Sequence, residues 1–191
     1  MRTSPGVLVG IAVVALVSTA GDAVWYGFGV QHRVVAGIIH GAVLLTAVGG
    51  VLGVSAGRLL AGLPIGALAG VGGALAYYAL APVMGQGAMV AAWAALWILL
   101  ALLDGSWLRR GSRSMAEMTT RGLVAALAGG LVFALVVDVL WGRPGPGGRN
   151  YLVTYAAWLA AWAPGILALT MSSRPPASSR TGPAGVGQAG Q

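Results

Sequence analysis

The chain has 191 residues, of which 58% are apolar and only 8% are charged, with a mean hydropathy of +0.85. A soluble domain of this length needs far more polar surface, so the composition excludes that class and indicates a membrane protein with several spans. The net charge of +7 comes from 11 arginines that flank the apolar runs, which indicates membrane orientation and argues against a nucleic-acid partner.

Six apolar stretches are long enough to cross a bilayer, since a spanning helix needs about 20 mostly apolar residues. They cover residues 6–29, 34–57, 59–81, 85–103, 121–141 and 151–171. The sequence therefore predicts an all-α fold, a polytopic transmembrane bundle of six helices over residues 1–171. Residues 172–191 have almost nothing to bury, and we expect them to form a disordered cytoplasmic tail.

The first stretch has a second interpretation, as a signal peptide. Arg2 precedes an apolar run that includes the small residues Ser18 and Ala20, a pattern that fits cleavage after Ala20. Apolar character continues to Val30, however, and five further spans follow. We therefore favour a retained first helix over a cleaved leader.

The arginines predict how the bundle is oriented. With the N-terminus inside, eight arginines fall in cytoplasmic segments and three, Arg33, Arg143 and Arg149, fall outside. Cytoplasmic segments of membrane proteins carry the excess of Lys and Arg, so this distribution favours both termini inside (N-in/C-in). We expect a multi-pass protein of a bacterial-type inner (cytoplasmic) membrane.

Small residues recur every four positions along the second and third spans. The stripe in the second span comprises Gly37, Gly41, Gly49, Gly53 and Gly57, and the stripe in the third comprises Gly62, Gly66, Gly70 and Ala74. In lipid, such stripes let two helix backbones approach closely. We predict a glycine-zipper hairpin of helices 2 and 3, with a glycine-lined substrate path as the alternative.

Ionisable side chains gather in the half of the bundle that this orientation places outside. Asp22 lies about 24 Å along the first helix at 1.5 Å per residue. His32 belongs to the next connection, His40 to the second helix, and Asp138 to the last turn of the fifth. Ionisable groups within spans are rare and usually face a partner or a cavity, so these residues predict one outward-facing site.

Aromatic side chains accompany this polar cluster. Trp25 and Trp141 each follow one of the aspartates by three residues, which puts each pair on one helix face. The other rings that we assign to the site are Tyr78, Trp93, Tyr155 and Trp158. An aromatic-walled pocket beneath a polar mouth is the usual form of a small-ligand site, whereas an interfacial belt and ordinary core packing are the alternatives.

These features favour a small-molecule transporter or a membrane-embedded solute-binding subunit. The chain has no lysine and so no nucleotide-binding P-loop, which points to a carrier or to a subunit driven by other proteins. One alternative is a metal- or haem-dependent membrane enzyme or redox protein, because carboxylate and imidazole suit Zn, Fe or Mn. Its candidate metal ligands are His32, His40, Asp22 and Asp138.

A second alternative is an accessory assembly subunit of a membrane complex, whose glycine stripes bind other helices. An enzyme is the less favoured class, because the sequence contains no catalytic constellation. The sequence identifies no cofactor, and we expect none. The expected partners are the lipid bilayer, a small-molecule ligand, and a second copy of the chain or a membrane partner subunit.

Overall fold

The computed structural model describes residues 4–27, 33–141 and 148–171, and in these ranges the chain forms six long helices. They are α1 (Pro5–Gly27), α2 (Arg33–Ser55), α3 (Leu59–Met84), α4 (Gly87–Leu103), α5 (Met115–Trp141) and α6 (Tyr151–Thr170), with a π-helical turn at Asp104–Leu108 after α4. Each is long and apolar enough to cross a membrane, α4 together with the π-helical turn. The prediction of an all-helical chain with six candidate spans is confirmed, while the tail at 172–191 lies outside the described residues.

The helices form a closed ring. Each helix packs against its neighbours in the sequence, and α6 completes the ring by packing against α1. Consecutive helices are antiparallel, as in an up-and-down bundle. One end of the bundle, called here the arginine-rich end, carries Arg58, Arg109, Arg110, Arg113 and Arg121. The opposite end carries the end of α1 and the beginnings of α2 and α6.

Helices α2 and α3 approach each other at backbone distance. A Cβ atom built on Gly41 would lie 2.9 Å from the carbonyl oxygen of Gly70. A Cβ on Gly66 would overlap the backbone carbonyl of Leu45. Real Cβ atoms essentially never come this close to backbone, so a larger side chain at either glycine would push the two helices apart. Gly41, Gly49 and Gly53 of α2 thus lie against the stripe of α3 that comprises Gly62, Gly66 and Gly70.

Helix α5 begins at Met115, six residues before the apolar run that predicts it. The backbone N–H of Glu117 donates to the hydroxyl of Ser114 at 3.1 Å, and the Glu117 carboxylate pairs with Arg121 at 3.0 Å. A capping hydroxyl and an ion pair one turn apart both stabilise a helix start. The first turn of α5 is therefore helical although it is polar.

Candidate functional site

Two hydrogen-bonded pairs join α1 to α6 inside the bundle. The indole N–H of Trp158 donates to Oδ2 of Asp22 at 2.7 Å, and that of Trp162 donates to Oγ of Ser18 at 2.9 Å. The two helices are antiparallel, so four residues forward along α6 correspond to four residues back along α1. Asp22 is only 6% exposed and Ser18 is fully buried. The pairs hold an ionisable carboxyl in the interior of a candidate membrane span.

The carboxyl group of Asp22 has few partners. Within the part of the chain that the structure describes, its one hydrogen-bond donor is the neutral indole of Trp158, and no basic side chain lies within ion-pair distance. A carboxylate has about four sites at which it can accept a hydrogen bond. Because Trp158 uses only one of these sites, Asp22 retains acceptor sites that the described side chains do not fill.

His40 of α2 lies beside the same turn of α1. A Cβ on Gly21 would overlap the His40 imidazole, so the absence of a side chain at Gly21 makes room for this ring. The Trp25 ring lies 6.1 Å from the His40 ring, with an angle of 63° between their planes. This edge-to-face arrangement is a favourable geometry for two aromatic rings. Asp22, Trp25 and His40 therefore lie together where α1 meets α2 and α6.

A basic side chain lies at the end of the bundle nearest Asp22. The guanidinium carbon of Arg149, just before α6, lies 3.8 Å from the centre of the Tyr26 ring in the last turn of α1. This is the geometry of a cation–π interaction. The charge of Arg149 also interacts favourably with the Asp22 carboxylate without forming an ion pair. The neighbourhood of Asp22 thus contains a carboxylate, an imidazole, aromatic rings and a nearby cation.

Below Asp22 the interior is filled by aromatic rings. Trp93 lies 4.2 Å from Phe133 and 4.7 Å from Trp162 between ring centres, and Trp158 lies 6.0 Å from Trp162. Trp97, fully buried, packs edge-on against Trp93 and Trp162. These rings contact one another directly, so a ligand that reaches this depth has to separate them.

The tryptophans of α4 and α6 differ in their hydrogen bonds. Those of α6 donate to α1, whereas the buried indole nitrogens of Trp93 and Trp97 have no hydrogen-bond partner among the described residues. Both nitrogens approach Gly129 of α5, where a Cβ would lie 2.9 Å from Nε1 of Trp97 and 3.3 Å from that of Trp93. An unmade hydrogen bond of a buried donor costs about 1–3 kcal/mol. The two free donors therefore mark a position that favours an acceptor atom.

The other predicted site residues are distributed more widely. The hydroxyl of Tyr78 donates to the Arg33 carbonyl at 2.6 Å and so ties α3 to the beginning of α2, and Tyr155 packs against the core. His32 lies outside the described residues, as do the side chains of Asp138 and Trp141, whose backbones belong to α5. Of the predicted set, the structure groups Asp22, Trp25, His40 and Trp158, with Trp93 below them.

The predicted metal ligands are described only in part. The described residues contain no group of three or more His, Cys, Asp or Glu side chains that could hold a metal ion. Asp22 and His40 supply two ligand types, whereas catalytic zinc sites have three protein ligands. The described part of the chain thus offers an incomplete set, and the remaining candidates, His32 and Asp138, lie beyond it.

A second buried carboxyl group, Asp104, lies at the arginine-rich end. Nε of Arg109 donates to its two oxygens at 3.2 and 3.0 Å, and Arg113 donates to Oδ2 at 2.7 Å. Burial lowers the pKa of the Arg113 guanidinium while Asp104 raises it, and an arginine stays charged at any physiological pH. The sequence offers only one signal for this cluster, an aspartate followed by arginines five and nine positions later, and this spacing does not predict that the side chains meet.

The same arginines cap helix ends. Arg113 donates to the carbonyl of Leu169 at 3.1 Å, and Arg121 donates to the carbonyls of Ala168 and Met171. Arg58 donates to the carbonyl of Trp107 at 2.9 Å, just before the end of the π-helical turn. The last carbonyls of a helix lack partners within it, so guanidinium donors stabilise these ends. The cluster around Asp104 therefore fastens α2, α4, α5 and α6 together.

Comparison with known proteins identifies no relative. No family model matches the chain, and no curated protein or solved structure is similar to it. A functional assignment therefore depends on the geometry of this chain's own side chains.

Proposed function

We propose that this integral membrane protein is a small-molecule transporter or a membrane-embedded solute-binding subunit, with its ligand site centred on Asp22. One observation carries the proposal: a carboxyl group buried within a candidate span has a single neutral donor and no ion-pair partner among the described residues. Ionisable groups within spans are rare and usually serve a ligand, an ion or a partner group.

The chemistry around Asp22 favours a particular class of ligand. A cationic or hydrogen-bond-donating group would use the unused acceptor sites of the carboxylate, and the rings of Trp25 and Trp158 would stabilise a cation. An acceptor atom on the same molecule would take the free indole N–H groups of Trp93 and Trp97. We propose a small organic amine that also carries a carbonyl or hydroxyl oxygen.

We further propose that the site opens to the outside of the cell. The eight-to-three distribution of arginines supports an N-in/C-in orientation in an inner membrane, with the Asp22 end outside and the arginine-rich end in the cytoplasm. In this arrangement His32, Asp138, Trp141 and Tyr155 complete the mouth of the site. The glycine-lined contact of α2 with α3 would then be a glycine zipper that holds these two helices rigidly together beside the site.

A metal- or haem-dependent enzyme is the second candidate, and its support is the closeness of His40 to the turn that carries Asp22. Metal analysis and a visible absorption spectrum of the purified protein test it directly. An assembly subunit that binds partners through its glycine stripes has less support, because the two stripes are buried against each other.

The test of the amine-binding proposal uses the tryptophan fluorescence of the purified full chain. A panel of small organic amines is titrated against the wild type, Asp22→Asn and Ser18→Ala. Ser18→Ala is a matched control, because it removes the partner of Trp162 one turn from Asp22 and leaves the carboxylate in place. We expect at least one amine to quench the wild type, with an affinity at least tenfold weaker for Asp22→Asn and nearly unchanged for Ser18→Ala. Equal affinities for all three proteins would contradict the proposal.

A further inference from the structure

An open depression of about 340 Å³ lies at the arginine-rich end of the bundle. Its lining consists of Ala56, Arg58, Leu108, Arg109, Arg110 and Ser112. These residues come from the connection between α2 and α3 and from the segment that follows α4. We propose that this depression binds the phosphate group of an anionic membrane lipid. This second site is independent of the ligand site around Asp22.

The charge of the lining supports an anionic ligand. Three of the six lining residues are arginines and none is acidic. The hydrogen bonds of Arg58 and Arg110 go to backbone carbonyls, and neither has a carboxylate within ion-pair distance in the described ranges. Arg109 shares the buried Asp104 with Arg113, so this carboxylate balances Arg109 only in part. The depression therefore carries positive charge that the described side chains do not balance.

Two of the three guanidinium groups, those of Arg58 and Arg109, are also held in position before a ligand arrives. Arg58 is fixed by the carbonyls of Trp107 and Leu108, at 2.9 and 3.4 Å. Arg109 is fixed by Asp104 and by the hydroxyl of Ser55. Groups that are already ordered lose little conformational entropy on binding, and guanidinium groups match phosphate oxygens in geometry. The Ser112 hydroxyl provides a further polar contact at the rim.

The surroundings favour a lipid over free phosphate in solution. Apolar side chains next to the arginines are exposed, with Leu60 81% and Trp107 47% accessible. An acyl chain would cover these side chains while the headgroup occupies the depression, and a tryptophan is suited to the level of the headgroups. Basic pockets between transmembrane helices on the cytoplasmic side commonly bind anionic headgroups. Free phosphate would use the arginines and leave the apolar neighbours exposed.

The experiment compares lipids and variants on the full chain in detergent. Phosphatidylglycerol, phosphatidylcholine and inorganic phosphate are added separately, and binding is followed by native mass spectrometry and by the midpoint of thermal unfolding. The test variant is Arg110→Gln, because Arg110 is exposed and its one hydrogen bond is long, at 3.4 Å. Arg33→Gln is the matched control, an exposed arginine at the opposite end with the same change of charge.

We expect phosphatidylglycerol to bind and to raise the unfolding midpoint more than phosphatidylcholine does. Arg110→Gln should weaken its binding about fivefold, which is the usual contribution of one basic residue near an anionic lipid. Arg33→Gln should leave binding unchanged. An equal loss in both variants would show attraction by net charge alone and would overturn the site. An equal response to inorganic phosphate would overturn the lipid as its ligand.

Discussion

Asp22 and Asp104 are both buried carboxyl groups in candidate spans, and the two ends of the bundle surround them with different partners. The guanidinium groups of Arg109 and Arg113 bind Asp104, and Arg113 also caps the end of α6 through the carbonyl of Leu169. Asp22 accepts one hydrogen bond from a neutral indole. Burial is therefore common to both, and the partners distinguish them. Removing a partner of Asp104 would leave a buried charge unpaired, whereas Asp22 has acceptor sites that the described side chains do not use.

The buried tryptophans show the same contrast between side chains with and without partners. Trp158 and Trp162 of α6 donate to side chains of α1 and so hold two helices together. The indole N–H groups of Trp93 and Trp97 of α4 lie beside Gly129 and have no hydrogen-bond partner within the described ranges. Satisfied polar groups thus lie on the α1–α6 contact, and unsatisfied donors lie on the α4–α5 contact. Under our proposal, the unsatisfied donors are where a ligand would gain most from binding.

The largest effect that we predict is at the arginine-rich end. Arg113→Met should lower the free energy of unfolding by about 3 kcal/mol, because it removes one of two counter-ions from a fully buried carboxylate. Reversible unfolding in mixed micelles measures this change. Arg110→Met, an exposed arginine with one long hydrogen bond, is the control and should change stability by less than about 0.5 kcal/mol. Similar losses of unfolding free energy in both variants would contradict the claim that Arg113 stabilises the fold by its pairing with Asp104.

The next prediction concerns the room that Gly21 leaves for His40. Gly21→Ala should destabilise the protein by about 1–3 kcal/mol, because the new Cβ overlaps the imidazole and drives it from Asp22. Amine binding should weaken in the same variant. Gly6→Ala is the control on the same helix, since its Cβ would meet neighbours at an ordinary 3.6 Å. Wild-type stability and binding for Gly21→Ala would show that His40 is not confined as described.

Two conservative changes in α6 test separately the two hydrogen bonds that join this helix to α1. Trp158→Phe leaves Asp22 without its described donor and should cost about 1–3 kcal/mol. Trp162→Phe should cost less, about 0.5–1.5 kcal/mol, because the Ser18 hydroxyl keeps its bond to the Val14 carbonyl at 2.8 Å. Unfolding of both variants gives the order, and amine titration should show a change of affinity for Trp158→Phe alone. A larger loss of stability for Trp162→Phe than for Trp158→Phe would contradict this account of the two hydrogen bonds.

The smallest effect has the opposite sign. Arg149→Gln removes a positive charge that interacts with Asp22, so it should raise the affinity for an amine by at most about fivefold, as expected for a partly exposed charge. The gain should shrink at high salt because salt screens the charge. Titration of the variant at low and high ionic strength measures both. A weaker affinity in the variant would mean that Arg149 helps to hold the ligand.

Much of this architecture follows from the sequence because the bilayer imposes a length and an apolar composition on each span. The rise per residue also predicts that Asp22 and His40 lie at similar depths. In the structure the His40 ring lies beside Gly21, the residue before Asp22. The two hydrogen bonds between α1 and α6 could not be predicted, because they depend on which faces of the two helices meet. The pair of Asp22 and Trp158, for example, joins residues 136 positions apart. The Asp104 cluster could not be predicted either, because Arg109 and Arg113 lie in the connection that follows the helix, where no periodicity relates their side chains.

The most direct test compares the free energy of unfolding of Asp22→Asn with that of Asp104→Asn in the same micelles. Asparagine at position 22 can still accept the indole hydrogen bond and removes an unpaired buried charge, so we expect a loss below about 1 kcal/mol. Asparagine at position 104 removes the buried carboxylate that Arg109 and Arg113 share, so we expect a loss of about 3–5 kcal/mol. Equal losses, or a larger loss for Asp22→Asn, would show that Asp22 stabilises the fold as Asp104 does and would contradict its assignment as a ligand-binding group.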